Sequence, residues 1–207
     1  FAGFKQVRQG NLPAATSDLE RSRSWGPREV NALYELGNVY ARSARPADAA
    51  RAYLEALDAN AGYDEIFFNL ATVSNAQLGK PELALPFCET AWAVNPLSNE
   101  VLSSLSAFYL REPGQNLPRA LETLLAGTRI FPDNPNHWNN LGYALSRAKR
   151  WDEAQAAYER VLAIAPDLAL AERNLAALSV QSGRPRSPVL AVLSDLRTLD
   201  AAIARRD

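Results

Sequence analysis

The sequence predicts an all-α solenoid in which pairs of antiparallel helices stack on one another. A pattern of small, aromatic and proline residues recurs at an interval of about 34 residues, which indicates a repeat protein. Apolar residues within each recurrence are three or four positions apart, the spacing of one face of a helix. The chain has 207 residues, of which 47% are hydrophobic, and this is enough to bury a core along such a stack.

The clearest repeat covers residues 135–168. Its first half has the apolar spacing of one helix, and its second half has that of another. A proline near the end cannot continue a helix and therefore predicts where the second helix ends. Counted from Pro135, the residues at positions 4, 7, 8, 11, 20, 24 and 32 are Trp138, Leu141, Gly142, Leu145, Ala154, Tyr158 and Pro166.

The same spacing recurs before Pro135 in three further repeats. The repeat that starts at Asp64 has one inserted residue before Ala84. The repeat that starts at Asn99 is the most degenerate, and it has two extra residues in a longer turn at 111–118. The three predicted repeats are 30–63, 64–98 and 99–134.

Both ends of the array are partial. Residues 1–29 keep a second helix and a truncated first helix, whereas residues 169–207 form a degenerate repeat. Ser187, followed by proline, is a favourable helix start, and the apolar stripe beyond it predicts a capping helix from about residue 188 to 205. This helix should cover the apolar face of residues 169–182. The prediction for the whole array is about eleven helices.

Small residues mark where the two helices of a repeat cross. Positions 8 and 20 are glycine or alanine in most repeats, which lets the two backbones approach closely. We therefore expect Gly142 and Ala154 to face each other. One helix pair cannot bury its own apolar face, so neighbouring repeats must stack.

These residues and their spacing resemble the tetratricopeptide repeat. The resemblance implies a right-handed superhelical solenoid whose first helices line a concave groove, in part through positions 5, 6, 9 and 13. It also implies a protein–protein interaction scaffold that holds a peptide or a partner segment in that groove. By position, the implied groove residues are Tyr34, Asn38, Arg42, Phe68, Asn69, Arg111, Asn139, Asn140, Tyr143, Arg147, Arg173 and Asn174.

Asparagine occupies position 6 in three repeats, at Asn69, Asn140 and Asn174. A carboxamide both donates and accepts hydrogen bonds, so it can bond a peptide backbone. The row resembles the asparagine ladder with which O-linked N-acetylglucosamine transferase grips extended peptides. Asparagine is also common at this position in the family, so a purely structural role stays open.

The carboxylate clamp of chaperone-binding members of the family is not predicted. Tyr34, Glu100 and Ser104 stand where its three cations belong, so an acidic tail would lack its charge partners. The groove arginines, with the aromatic residues beside them, instead suit a mildly acidic and partly aromatic peptide.

The sequence predicts no catalytic, metal or cofactor site. The single histidine, His137, and the single cysteine, Cys88, occupy repeat positions that favour structural roles, and they are too few for a zinc site. Neither glycine-rich phosphate-binding motif occurs. With 22 basic and 23 acidic side chains, the chain lacks the charge of a nucleic-acid binder, and its apolar runs are too short for membrane insertion.

The leading prediction is therefore a non-enzymatic module that binds a protein or peptide partner. The chain begins at Phe1 and contains no methionine, which predicts a processed product or an excised piece. The alternative is a soluble regulatory or anchoring domain of a larger bacterial protein, such as a membrane glycan ligase or polymerase. Self-association through the imperfect ends is a third interpretation. The compartment, cytoplasmic or periplasmic, stays open.

Overall fold

The chain divides into two compact units, residues 1–101 and 102–207, and each unit has its own buried core. The computed structural model describes residues 2–25, 30–60, 62–111 and 116–203. Every regular element in these ranges is a helix. The prediction of an all-α fold built from helix pairs is confirmed.

In unit 1, each helix packs against the next from α1 to α6. Leucine, alanine and tyrosine side chains at helical spacing form the core, because each helix turns one apolar face inward. The helices are α1 (Ala2–Arg8), α2 (Leu12–Trp25), α3 (Val30–Arg42), α4 (Pro46–Ala59), α5 (Asp64–Thr72) and α6 (Pro81–Val94).

In unit 2, α9 and α10 pack against each other as a pair. Helix α8 packs on α9, and α11 packs on α10. Helix α7 contains the boundary between the units. The helices are α7 (Asn99–Leu110), α8 (Leu117–Ile130), α9 (Pro135–Arg147), α10 (Trp151–Ile164), α11 (Ala169–Ser182) and α12 (Pro188–Ile203).

Twelve helices lie in the described ranges, against the predicted eleven. The difference arises because short α1 is a full partner of α2: a Cβ added at Gly3 would lie 2.7 Å from Cγ of Leu19. The predicted capping helix is present from Pro188 to Ile203, and residues 204 and 205 of that prediction lie outside the described residues.

A residue in the left-handed conformation ends the first helix of each described pair from α1 to α6 and from α9 to α12. Left-handed backbone reverses the chain, and the next amide can then bond a carbonyl five residues back, as Arg45 N does to Tyr40 O at 2.9 Å. The left-handed residues are Gly10, Ala44, Gly79, Lys149 and Gly183.

The glycine at position 8 faces the residue at position 24 of its own repeat. A Cβ added at Gly142 would lie 2.7 Å from Cε1 of Tyr158. Gly37 lies against Tyr53 in the same way. Tyr158 is thus the side chain nearest to Gly142, and the expected contact between Gly142 and the fully buried Ala154 stays a prediction.

The inserted residue of the repeat that starts at Asp64 is absorbed by a π-helix. This segment, Val73–Gln77, continues α5 without a break. A π-helix bonds each amide to a carbonyl five residues back, so it holds one residue more than an α-turn. Leu78 N accordingly donates to Val73 O at 2.9 Å. Of the longer turn predicted at 111–118, residues 112–115 lie outside the described residues.

Candidate functional site

A cleft of about 300 Å³ opens in unit 1 beside the π-helix. The first helices α3 and α5 form its walls, the π-helix closes one end, and one tyrosine of α4 contributes to it. The cleft contains three of the predicted groove residues, at positions 6, 9 and 13. Its lining residues are Glu35, Asn38, Ala41, Arg42, Tyr53, Asn69, Thr72, Val73 and Gln77.

Two asparagine amides meet inside this cleft. Asn69 Nδ2 donates to Asn38 Oδ1 at 3.1 Å and to the hydroxyl of Tyr34 at 3.4 Å. The buried hydroxyl of Tyr53 donates to the same Asn38 oxygen at 2.7 Å, and burial raises the pKa of this phenol. Asn38 Oδ1 therefore accepts two hydrogen bonds, which fixes the orientation of both amides relative to α3 and α5.

The other predicted groove residues of unit 1 differ in accessibility. Arg42 is exposed at the end of α3, whereas Phe68 and Tyr34 are half-buried. The ring of Tyr34 lies 6.2 Å from that of Tyr53, a tilted aromatic contact. Unit 1 thus brings together Asn38, Arg42 and Asn69, with Tyr34 at their edge.

In unit 2, a second asparagine pair joins neighbouring first helices. Asn174 Nδ2 on α11 donates to Asn139 Oδ1 on α9 at 2.9 Å. The bond spans 35 residues, as does the bond from Asn69 to Tyr34, so both connect position 6 to position 5 of the preceding repeat. Asn139 is only 8% exposed because this contact covers it.

The remaining predicted residues of unit 2 are more accessible. Tyr143 is 41% exposed, and Arg147 Nη1 donates to its hydroxyl at 3.4 Å. Arg111 is exposed and lies 5.4 Å from the ring centre of Phe108. Asn140 is half-buried and Arg173 is exposed.

Several lining residues of the cleft were not predicted from the sequence. Tyr53, Val73 and Gln77 contribute side chains next to the asparagine pair, whereas Glu35 and Thr72 stand at the implied groove positions 6 and 9. The insertion in the repeat that starts at Asp64 is the sequence signal that could have found them, because π-helices often occur at functional sites.

Both residues considered for nucleophilic or acid–base chemistry are buried. Burial raises the pKa of the Cys88 thiol to about 12, so the thiolate required of a nucleophile is not formed near neutral pH. Burial lowers the pKa of His137, whose ring stacks on Phe131 at 5.7 Å. Within the described ranges, no group of three histidine, cysteine or acidic residues is placed to hold a metal ion.

None of the helices in the described residues combines the length and the apolar character that a membrane span requires.

The tetratricopeptide-repeat family matches the chain at residues 6–65, 34–98 and 138–168, together more than half of its length. Among curated proteins, the protein O-mannosyl-transferase TMTC3 of Homo sapiens is 26% identical over 187 residues, which are 89% of this chain and 20% of the transferase. The peroxisomal targeting signal receptor of Kluyveromyces lactis is 25% identical over 199 residues, which are 94% of this chain and 34% of the receptor. The chain spans about a fifth of the length of the transferase and about a third of the length of the receptor.

Solved structures of repeat proteins superpose on the chain. YrrB, described as a TPR protein with an unusual peptide-binding site, has a TM-score of 0.70 at 23% identity, covering 83% of this chain and 87% of YrrB. A tetratricopeptide repeat protein from Parabacteroides merdae has a TM-score of 0.72 at 18% identity, covering 97% of this chain and 84% of that protein. At sequence identities of 23% and 18%, this similarity shows a shared fold.

Proposed function

Because the chain belongs to the tetratricopeptide-repeat family, we propose that it is a non-enzymatic scaffold that holds a peptide or partner segment. Proteins of this family generally bind protein or peptide partners and are generally not enzymes. In this proposal, the cleft of unit 1 is the main binding site. In unit 2, Asn139, Asn140, Tyr143, Arg147, Arg173 and Asn174, with Arg111, are proposed as further contacts.

The observation that carries this proposal is the asparagine pair of the cleft. Their mutual bond leaves Asn38 Nδ2 and Asn69 Oδ1 without a partner among the described residues. One donor and one acceptor therefore stand side by side. A residue of an extended peptide presents its N–H and C=O on the same side of the strand, as it does in a sheet ladder. The asparagine pair can bond both groups of one such residue.

A displayed library of random peptides, selected on the purified chain, tests the proposal. We expect selected peptides to bind, and Asn69→Ala to weaken them about tenfold, or about 1.4 kcal/mol. Thr90→Ala is the matched control, because Thr90 is an exposed polar residue of α6 outside the cleft. Thermal unfolding of each variant checks that the fold is retained.

Two results would contradict the proposal. A selection that enriches no peptide above background would show that the chain does not bind peptides. Peptides that bind the Asn69→Ala and Thr90→Ala proteins equally well would place the binding site outside the cleft.

A second candidate is a regulatory or anchoring domain of a larger protein. The match to a fifth of the length of a protein O-mannosyl-transferase favours it. An antibody raised against this chain, used on extracts of its source, distinguishes the two. A band far above 22.7 kDa supports the larger protein, whereas a band at about that mass contradicts it.

A further inference from the structure

Two opposite charges flank the asparagine pair of the cleft. Glu35, Asn38 and Arg42 follow one another at intervals of three and four residues, so they share one face of α3. Glu35 and Arg42 are two helical turns apart, about 10.5 Å along the axis. In the part of the chain that the structure describes, neither charge has an ion-pair partner.

This arrangement contrasts with the charges of neighbouring α4. Asp48 there accepts from Arg45 at 2.8 Å and lies 3.5 Å from Arg51. The charges of the cleft are not neutralised in this way, although both border a cavity large enough for a peptide side chain. An unpaired carboxylate and an unpaired guanidinium each favour a ligand group of the opposite charge.

The spacing of the two charges sets the spacing in the ligand. An extended peptide advances about 3.3 Å per residue and turns successive side chains to opposite faces, so only an even spacing presents both charges to α3. Four residues, about 13 Å, is the even spacing nearest to about 10.5 Å, and the long charged side chains cover the difference. The asparagine pair lies between the charges and bonds a backbone residue there. The ligand therefore carries one cationic and one anionic side chain four residues apart, one on each side of the bonded residue.

We propose, building on the peptide-binding function above, that this cleft selects extended peptides with a lysine or arginine and an acidic residue four positions apart. The cation lies against Glu35 and the anion against Arg42. Peptides in which both charges have the same sign place one of them against a like charge, and they bind more weakly.

Synthetic heptapeptides with a fluorescent label test this selectivity on the complete 207-residue chain. Three peptides share neutral residues and differ only in the charged pair: Lys-x-x-x-Glu, Glu-x-x-x-Glu and Lys-x-x-x-Lys. Fluorescence anisotropy should show the mixed pair binding about tenfold more tightly than either like-charged pair, or about 1.4 kcal/mol.

Charge reversal in the protein should exchange these preferences. Glu35→Lys should make Glu-x-x-x-Glu the preferred peptide, and Arg42→Glu should make Lys-x-x-x-Lys the preferred peptide. Asp58→Lys makes the same change in net charge as Glu35→Lys at an exposed position of α4 outside the cleft, and it should leave the preference unchanged.

The outcomes separate this inference from the function on which it rests. Equal affinity for the three peptides, or an unchanged preference in Glu35→Lys, overturns the charge selectivity, while peptides from the random library still bind. Library peptides that bind the cleft but lack the charged pair also overturn the charge selectivity. A chain that binds neither library nor synthetic peptides overturns both proposals.

Discussion

The ring of Tyr158 lies directly over the backbone of Gly142, sixteen residues earlier, so that no side chain fits between α9 and α10 at that point. The corresponding positions in the repeat that starts at Asp64 are Ala71 and Cys88, both buried. A larger residue at position 8 thus goes with a smaller residue at position 24. The summed volume at the crossing is restricted, because cores pack at nearly constant density.

Gly142→Ala should therefore destabilise the protein by about 1–3 kcal/mol, because the added methyl group overlaps the Tyr158 ring. Tyr158→Cys is destabilising by itself, since it leaves a cavity. In the Tyr158→Cys background, however, Gly142→Ala should cost almost nothing. Urea unfolding of the two single variants and the double variant measures this coupling. Additive effects would show that the two residues do not share one space.

The helix positions could be predicted from the sequence because the crossing tolerates few residues. Gly142, Tyr158 and Pro166 each meet a steric requirement within a single repeat, so their spacing determines where its helices lie. That the Tyr158 ring is the side chain nearest to Gly142 could not be read from spacing. It depends on how far a ring at position 24 reaches across the crossing.

Lys149→Gly should stabilise the protein. The φ angle of Lys149 is 59°, in the left-handed region, where three of the other turns have glycine. A side chain there meets the following carbonyl, which costs about 1–2 kcal/mol. Part of that gain is lost because glycine is more flexible in the unfolded chain, so we expect a net gain of about 0.5–1 kcal/mol.

Chemical denaturation of Lys149→Gly, with Lys149→Ala as control, measures the gain. Alanine removes the same charge but keeps a Cβ in the strained conformation, so it should bring no comparable increase. Equal stabilisation by both substitutions would assign the effect to the lost charge rather than to the backbone.

Less of the candidate site could be predicted than of the fold. Asn69 and Asn174 were identified from their position, but their bonds to Asn38 and Asn139 join different repeats. Such bonds depend on how neighbouring first helices stack, which the pattern of one repeat does not encode. The cleft depends in addition on the π-helix, which one inserted residue creates at Val73–Gln77.

His137 should make stability depend on pH. Burial lowers its pKa in the folded chain below the ordinary value of 6.5, so the unfolded chain binds the proton more readily. The neutral imidazole of His137 therefore favours the folded chain fully above pH 6.5. As the pH falls toward the lowered native pKa, the free energy of unfolding decreases by up to about 1.4 kcal/mol per pH unit.

The variant His137→Phe isolates this contribution, because it keeps an aromatic ring beside Phe131 but cannot take up a proton. Between pH 7.5 and pH 5.5, the free energy of unfolding should fall more for the parent than for the variant. Parallel falls in the two proteins would assign the pH dependence to other groups.

Helix α12 should act as a cap on the core of unit 2. Val189, Leu190 and Leu193 pack against the buried cluster that includes Leu175 and Leu178. The predicted apolar stripe is thus covered only in part, since Val192 and Leu196 are 56% and 50% exposed.

Ser187 anchors the start of this helix. Its Oγ accepts from the amide of Val189 at 3.2 Å and donates to Glu159 Oε1 on α10 at 2.6 Å. The hydroxyl therefore caps α12, as the sequence predicted, and also ties it to the preceding pair. Ser187→Ala should lower stability by about 1 kcal/mol.

Truncation after Gly183 tests the cap directly. It exposes Leu175 and Leu178, so the free energy of unfolding should fall by about 2–4 kcal/mol, and the uncovered surface should promote self-association. Truncation after Asp195 is the matched control, because it keeps Val189, Leu190 and Leu193 in place and should be nearly neutral. Thermal unfolding measures the stability of both shortened chains, and light scattering measures their self-association. If the chain that ends at Gly183 stays monomeric and as stable as the parent, α12 is not a cap, and its apolar side chains serve a contact with another molecule.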